Sequence, residues 1–145
     1  MLSQTVEYAL RAAVYLAGSK GRAGMLDQIA AVTRVPHAYL SKVLQALARG
    51  GIVVSKRGLH GGFVLARTPD RISILEVVTA VDPIRRIRTC PLGIASHGTN
   101  LCPLHHRMDA ALASVENAFA ETTLAEVLAE PGRSVPLCGM PAARV

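Results

Sequence analysis

The chain has 145 residues, which suffices for one domain with an appended element and for a modest hydrophobic core. Half of the residues are hydrophobic, which argues against disorder, but only 3% are aromatic and there is no Trp. A core of Ala, Leu, Val and Ile favours packed helices. Sixteen Lys and Arg against ten Asp and Glu give a net charge of +6, which suits nucleic acid better than a membrane surface as a polyanionic partner.

The cysteine count and the first residues indicate the compartment. Three cysteines are an odd number, which argues against a closed set of disulfides. Glu7 and Arg11 interrupt the first apolar stretch, so it does not resemble a signal peptide, and no uninterrupted run approaches the roughly 18 residues of a membrane span. We therefore expect a reducing cytoplasm, where thiols more often serve metals or redox chemistry than structural disulfides.

The first half of the chain predicts three helices. Residues 3–19 place apolar side chains at helical spacing, a short second helix begins near Leu26, and a third begins at Pro36. The inner face of the third helix repeats at i, i+3, i+4 and i+7, in Leu40, Val43, Leu44 and Leu47. Its outer face carries His37, Ala38, Ser41, Lys42, Gln45 and Arg49.

A change of period after Gly50 and Gly51 predicts a β-hairpin. Residues 52–55 and 63–66 are short β-type runs, and the segment KRGLHGG between them is basic and rich in glycine. The sequence from Ser73 to Glu76 is a capping box, which predicts the start of a fourth helix that closes before Pro83.

Three short helices followed by a two-stranded wing predict a mainly α-helical, winged helix-turn-helix protein. In this plan the outer stripe of the third helix reads base edges in the major groove, and the wing tip approaches phosphates or the minor groove. The candidate DNA-binding residues are therefore His37, Tyr39, Ser41, Lys42, Gln45, Lys56, Arg57, His60, Gly61 and Gly62. The alternative is that the polar stripe is a solvated face and the glycines only form a turn.

A long helix after Pro103 predicts a dimer. Its apolar residues step by 4, 4, 3 and 4 positions, close to heptad spacing, in Leu104, Met108, Leu112, Val115 and Phe119. Such a seam needs a partner surface, which a second subunit would provide; alternatively, it packs on its own domain. Thr123 and Glu126 predict one more short helix, and the Pro- and Gly-rich tail at 130–145 is expected to be flexible.

Two stretches together resemble a known family. PHAYLSKVLQALARGGIVVSKRGLHGGFVLA and ISILEVVTAVDP, with a C-terminal helix closing in TTLAEVL, resemble the Rrf2 family of winged-helix transcription regulators over roughly residues 1 to 129. The resemblance implies a homodimer that binds palindromic double-stranded DNA, with contacts from Tyr39 to Lys42 and from Arg57 to Gly62. It also implies, for several members, an iron–sulfur cluster that senses iron, redox state or nitric oxide.

The segment CPLGIASHGTNLCPLHH holds the candidate ligands. Cluster-binding relatives carry three cysteines here, whereas this chain has Cys90 and Cys102, with His97 near the expected middle position. His105 lies three residues after Cys102, on the same helical face, and His106 is nearly as well placed. In the pattern Glu7-Tyr8-Ala9-Leu10-Arg11, the resemblance implies that Glu7 reaches the cluster of the opposite subunit.

Four interpretations of this segment remain open. A two-iron two-sulfur (2Fe-2S) cluster with mixed cysteine, histidine and possibly Glu7 ligation leads, because imidazole can replace thiolate in such clusters. Zinc held by Cys90, His97, Cys102 and His105 is the second. The third is a cluster-free regulator controlled by thiol oxidation or a protein partner, and the fourth is haem on the two Cys-Pro dipeptides.

The expected organisation has four parts: a DNA-binding domain at 1–82, a candidate cluster-binding loop at 83–102, a dimerisation helix with a short capping helix at 103–129, and the tail at 130–145. An enzyme is not expected, because Cys102 and His105 have no third orienting group and no substrate pocket. Cys138, alone in the tail, is interpreted as a bystander thiol.

Overall fold

The computed structural model describes residues 2–137; the rest of the predicted tail, with Cys138, lies outside the described residues. The helices and strands of the described part are α1 (Gln4–Gly18), α2 (Leu26–Thr33), α3 (His37–Arg49), β1 (Val53–Lys56), β2 (Gly62–Leu65), a short 3-10 helix (Pro69–Arg71), α4 (Ile74–Val81), α5 (Pro103–Glu121) and α6 (Leu124–Ala129). Within residues 2–137, no helix is both long and apolar enough to cross a membrane.

Side-chain caps fix where several helices begin. The Ser3 hydroxyl accepts a hydrogen bond from the Val6 amide at the start of α1. At α4, the Ser73 hydroxyl accepts from the Glu76 amide (3.2 Å) while the Glu76 carboxylate accepts from the Ser73 amide (2.8 Å). The same reciprocal pair joins Thr123 and Glu126 at α6. Each cap satisfies backbone amides that have no partner within the helix, so the two predicted capping boxes are confirmed.

The core lies between α1, α3 and α4 and consists of small aliphatic side chains. The apolar stripe of α3 is buried as predicted, and it faces the buried side of α1. Leu124 of α6 is also fully buried in this core. Backbone hydrogen bonds from Ile74 to Thr122 and from Leu124 to Ile72, each 2.9 Å, hold α6 beside the start of α4. Helix α6 therefore helps to close the hydrophobic core against which α3 packs.

The wing is an antiparallel hairpin in which Val53 pairs with Leu65 and Lys56 with Gly62. Each strand has the predicted length but lies one residue closer to the hairpin tip than the predicted run. A third segment joins β2, because the Gly24 and Phe63 backbones exchange two hydrogen bonds of 2.8 Å. This pairing explains Gly62, whose φ is +138° and where a Cβ would overlap the Gly24 carbonyl oxygen. Glycine is thus required to seat the wing on the body of the domain.

Helix α5 differs from the others because none of its residues is buried. The first part of its predicted seam is accessible, because Leu104 and Met108 are 64% and 47% exposed. Leu112, Val115 and Phe119 are half-buried, and Phe119 packs against the core of its own chain. The segment between α4 and α5, residues 83–102, contains neither a helix nor a strand. We call this segment the cysteine loop.

Candidate nucleic-acid interface and cysteine loop

The outer face of α3 presents polar side chains to solvent. His37, Tyr39, Lys42 and Gln45 are exposed, and Ser41 is half-buried. The Gln45 amide nitrogen donates to the Ser41 hydroxyl at 3.4 Å, so the two side chains are neighbours one turn apart. Donors and acceptors on the exposed face of a docked helix are the groups that can bond base edges in a major groove.

His37 has a partner of its own. Its Nε2 lies 2.8 Å from the Asp27 carboxylate on α2, and both side chains are largely exposed. The pair links the first residue of α3 to the helix before it. This contact spans the turn between α2 and α3.

The wing tip combines positive charge with a tight backbone. Lys56, Arg57 and His60 are exposed, and the Gly61 amide donates to the Gly58 carbonyl at 2.9 Å. The sequence pattern missed Leu59, whose side chain is 93% exposed at this tip, between the basic residues. An apolar residue at a basic wing tip has the chemistry to contact sugars or base faces of a minor groove.

The cysteine loop and the first turn of α5 contain two separate thiol–imidazole pairs. The Sγ of Cys90 lies 3.6 Å from Nδ1 of His97, and the Sγ of Cys102 lies 3.4 Å from Nδ1 of His105. Cys102 is also the N-cap residue of α5, where a helix favours negative charge. Among residues 2–137, no three His, Cys, Asp or Glu side chains gather into a group that could hold a metal ion.

Glu7, the remaining candidate ligand, is engaged elsewhere. Its carboxylate accepts a hydrogen bond from Nε of Arg11 at 3.0 Å, one turn along α1. His106 is exposed. The structure thus brings Cys90 to His97 and Cys102 to His105, but it joins Glu7 to neither pair within one chain.

An ion-pair cluster that sequence reasoning missed ties the cysteine loop to α5. The Arg86 guanidinium donates to both carboxylate oxygens of Asp109, at 2.7 and 2.6 Å, and to Glu116 at 3.0 Å. The Ile87 amide donates to the same Asp109 carboxylate at 2.8 Å. Asp109 and Glu116 lie seven residues apart on one face of α5, a spacing that could have indicated a shared basic partner. That partner, Arg86, lies too far away in sequence for the pattern to identify it.

These contacts set the charge of the cluster. The pKa of the Asp109 carboxyl is lowered to about 2, mainly by the hydrogen bonds from Arg86 and also by the hydrogen bond from the Ile87 amide. The Asp109 and Glu116 carboxylates, in turn, raise the pKa of the Arg86 guanidinium. The start of the cysteine loop is therefore held to α5 by a bidentate, charge-assisted contact.

The acid stability of the protein should depend on Asp109. Because its folded pKa of about 2 lies below the ordinary value of 3.8, the ionised carboxylate stabilises the fold at pH values above 3.8. This contribution is lost as the pH falls from 3.8 to about 2. Urea titrations should therefore show Asp109→Asn less stable than the wild type above this window, with the difference shrinking within it.

Asp82→Asn serves as the control, because Asp82 is exposed and forms no ion pair within the described residues. Its stability should follow that of the wild type across the whole pH range. A stability difference for Asp109→Asn that persists unchanged down to pH 2 would contradict the assigned ion pair.

The fold and the exposed polar face of α3 define a class: this is a winged helix-turn-helix, DNA-binding transcription regulator. The chain matches the Rrf2 family, described as iron-dependent transcriptional regulators, over residues 2–130. It therefore belongs to the Rrf2 family. The members of this family are transcription regulators and not enzymes, which confirms the prediction that this protein is not an enzyme.

Relatives with similar sequences carry matching descriptions. A protein of Aquifex aeolicus described as an HTH-type transcriptional regulator is 31% identical over 131 residues, which is 88% of this chain and 91% of that protein. A protein of Mycobacterium tuberculosis with the same description is 35% identical over 128 residues, or 87% of this chain and 80% of the relative.

Solved structures share the fold at lower identity. CymR, the global cysteine regulator of B. subtilis, superposes with a TM-score of 0.74 at 23% identity, covering 91% of this chain and 98% of that one. IscR of T. potens gives 0.72 at 22% identity, covering 92% and 93%. These likenesses confirm the predicted winged fold.

Proposed function

We propose that the protein is a homodimeric regulator that reads palindromic double-stranded DNA with α3 and the wing of each subunit. The observation that carries the proposal is the division of α3 into a buried apolar stripe and an exposed polar face, from His37 to Gln45. The buried stripe fixes the helix, and the exposed face offers Ser41, Lys42 and Gln45 to base edges. Lys56, Arg57 and His60 then meet the backbone of the same duplex.

The proposed dimer is supported by the surface of α5. The seam is covered at one end only: Phe119 packs against the core of its own chain, whereas Leu104 and Met108 are exposed and need another surface. A two-fold pair of such helices would give the assembly two symmetry-related copies of α3. Two-fold symmetric proteins read two-fold symmetric sites, hence the palindrome.

For the signal, we propose a two-iron two-sulfur cluster held by the cysteine loop. Cys90, Cys102, His105 and His97 offer two sulfurs and two imidazoles, which suit the group in kind and number. Among residues 2–137 no three of these side chains gather, so the two Cys–His pairs would have to come together to hold the cluster. His97 is favoured over the partner subunit's Glu7, since Glu7 is occupied by Arg11. The cluster would supply one-electron redox chemistry, and the protein residues would hold the loop against the start of α5.

Zinc is the second candidate for the same residues. Two cysteines and two histidines also suit a tetrahedral zinc ion, which would give the loop a structural role. A thiol-based switch or a protein partner that controls a cluster-free loop is the remaining alternative. In each case the loop lies between the domain that reads DNA and the helix proposed to join the subunits.

The DNA reading is tested by exchanging one residue on each surface. Lys42→Ala should change which sequences are preferred, because a side chain in the groove carries base information. Lys56→Ala should weaken binding to all sequences by a similar factor and reduce the salt dependence, because a phosphate contact releases counterions. Both variants are compared on one randomised duplex library; identical behaviour would contradict the assigned surfaces.

A further inference from the structure

Arg11 on α1 contacts two residues of its own helix and the end of α2. Its Nε donates to the Glu7 carboxylate at 3.0 Å, and its Nη1 donates to the Thr33 carbonyl at 3.3 Å. The carbon at the centre of its guanidinium lies 5.7 Å from the centroid of the Tyr8 ring, a cation–π distance. The fork geometry of arginine is what allows one side chain to serve two acceptors at once.

The Thr33 carbonyl is a meaningful target because it ends α2. Carbonyls in the last turn of a helix have no partner within the helix and carry its negative end. Thr33 itself is buried, and its hydroxyl donates to the Ile29 carbonyl at 2.6 Å. The next residue, Arg34, has a left-handed backbone with φ of +55°. Arg11 therefore holds the point at which the chain turns from α2 towards α3.

Tyr8 reaches the far side of the same turn. Its ring meets that of Tyr39 edge to face, with centroids 6.1 Å apart and planes at 63°. Tyr39 lies in the first turn of α3 and is 56% exposed. The guanidinium of Arg11 thus contacts the end of α2 directly and the start of α3 through one aromatic ring.

We propose that Arg11 is a positioning residue for DNA reading, which sets the orientation of the first turn of α3. This inference rests on the proposed DNA interface but not on any cofactor. Hydrogen bonds to base edges depend on distance and angle, whereas phosphate contacts tolerate displacement. Loss of Arg11 should therefore lower discrimination between sequences more than it lowers affinity for DNA in general.

The test compares Arg11→Met with the wild type on a selected duplex and on a scrambled duplex of the same length. We expect the dissociation constant for the scrambled duplex divided by that for the selected duplex to fall about tenfold in Arg11→Met. This is the effect of losing a well-placed base contact. Affinity for the scrambled duplex should change by less than about threefold. Arg71→Met is the control for lost charge, since Arg71 is exposed in the 3-10 helix and its side chain forms no ion pair within the described residues.

The aromatic step has its own matched pair. Tyr8→Leu should lower the same ratio because it removes the ring that meets Tyr39. Tyr8→Phe should keep the wild-type ratio, because the ring contact does not use the hydroxyl. An equal effect of both substitutions would contradict the aromatic step.

A measurement without DNA separates this inference from the proposed function. In Arg11→Met, amide hydrogen exchange should accelerate in residues 33–41 and stay unchanged in α4, as for a local opening. Unchanged exchange in residues 33–41 would overturn the inference even if DNA binding is normal. Equal weakening of both duplexes would also overturn it, by assigning Arg11 to a phosphate contact. A wild-type protein without sequence preference would instead refute the proposed function. The hydrogen-exchange result would still decide whether Arg11 holds the first turn of α3 in place.

Discussion

Substitution of Met108 by Asp should convert the proposed dimer to a monomer and abolish tight DNA binding. Met108 lies on the apolar seam of α5 and is 47% exposed within one chain, so the protomer can carry the substitution without a change in its core. In the proposed dimer, however, the new carboxylate would be buried without a partner, which is strongly unfavourable.

The expected loss of affinity for the palindrome is large. A dimer holds its second half-site contact at high effective concentration, so the monomer should bind on the order of 100-fold more weakly or worse. Sedimentation velocity measures the assembly and fluorescence anisotropy the binding. Asn117→Asp is the matched control, because Asn117 is exposed, lies on the same helix and falls about 180° from the seam at 100° per residue. A dimeric Met108→Asp protein would remove the seam from the interface.

The second large effect concerns the cysteine loop. After anaerobic reconstitution, the wild type should bind about two irons and two sulfides per protomer, and Cys90→Ala or Cys102→Ala should abolish both. The reason is that each substitution removes one of two sulfur ligands, and within the described residues the loop holds no further cysteine. Iron and sulfide analysis with the visible spectrum is the measurement.

His105 and His106, which are adjacent in sequence, provide a matched test and control for the histidine ligand. His105→Ala should shift the spectrum because the His105 ring contacts Cys102, whereas His106→Ala should leave it unchanged because His106 is exposed. Stoichiometric zinc without sulfide would select the structural metal instead. Absence of any metal from the anaerobically reconstituted protein would contradict both metal proposals and favour thiol chemistry or a protein partner.

The winged fold was predictable because its signals are local. The stripe of Leu40, Val43, Leu44 and Leu47 has the helical period, and the capping box at Ser73 marks the next helix within four residues. Both strands of the wing lie one residue closer to its tip than predicted, because Lys56 also pairs with Gly62. The pairing of Gly24 with Phe63, far away in sequence, was not predicted at all. Such long-range pairing leaves no periodic signal.

The candidate sites were only partly predictable for the same reason. Polar residues on α3 and the wing follow from the fold once the buried face is known. The contacts of Arg11 with Thr33 and of Arg86 with Asp109 join residues 22 and 23 positions apart. They depend on how helices pack, which no local pattern encodes. The ligand set of the cysteine loop stays a prediction, because two Cys–His pairs suit more than one metal.

The most direct test of the proposed function is a selection from randomised duplex DNA by the wild-type protein, followed by sedimentation of the protein on the enriched duplex. The proposed function predicts a two-fold symmetric consensus sequence that is bound by two protomers. The affinity should fall as the salt concentration rises, because phosphate contacts release counterions. Enrichment of no sequence, or binding of one protomer to an asymmetric site, would contradict it.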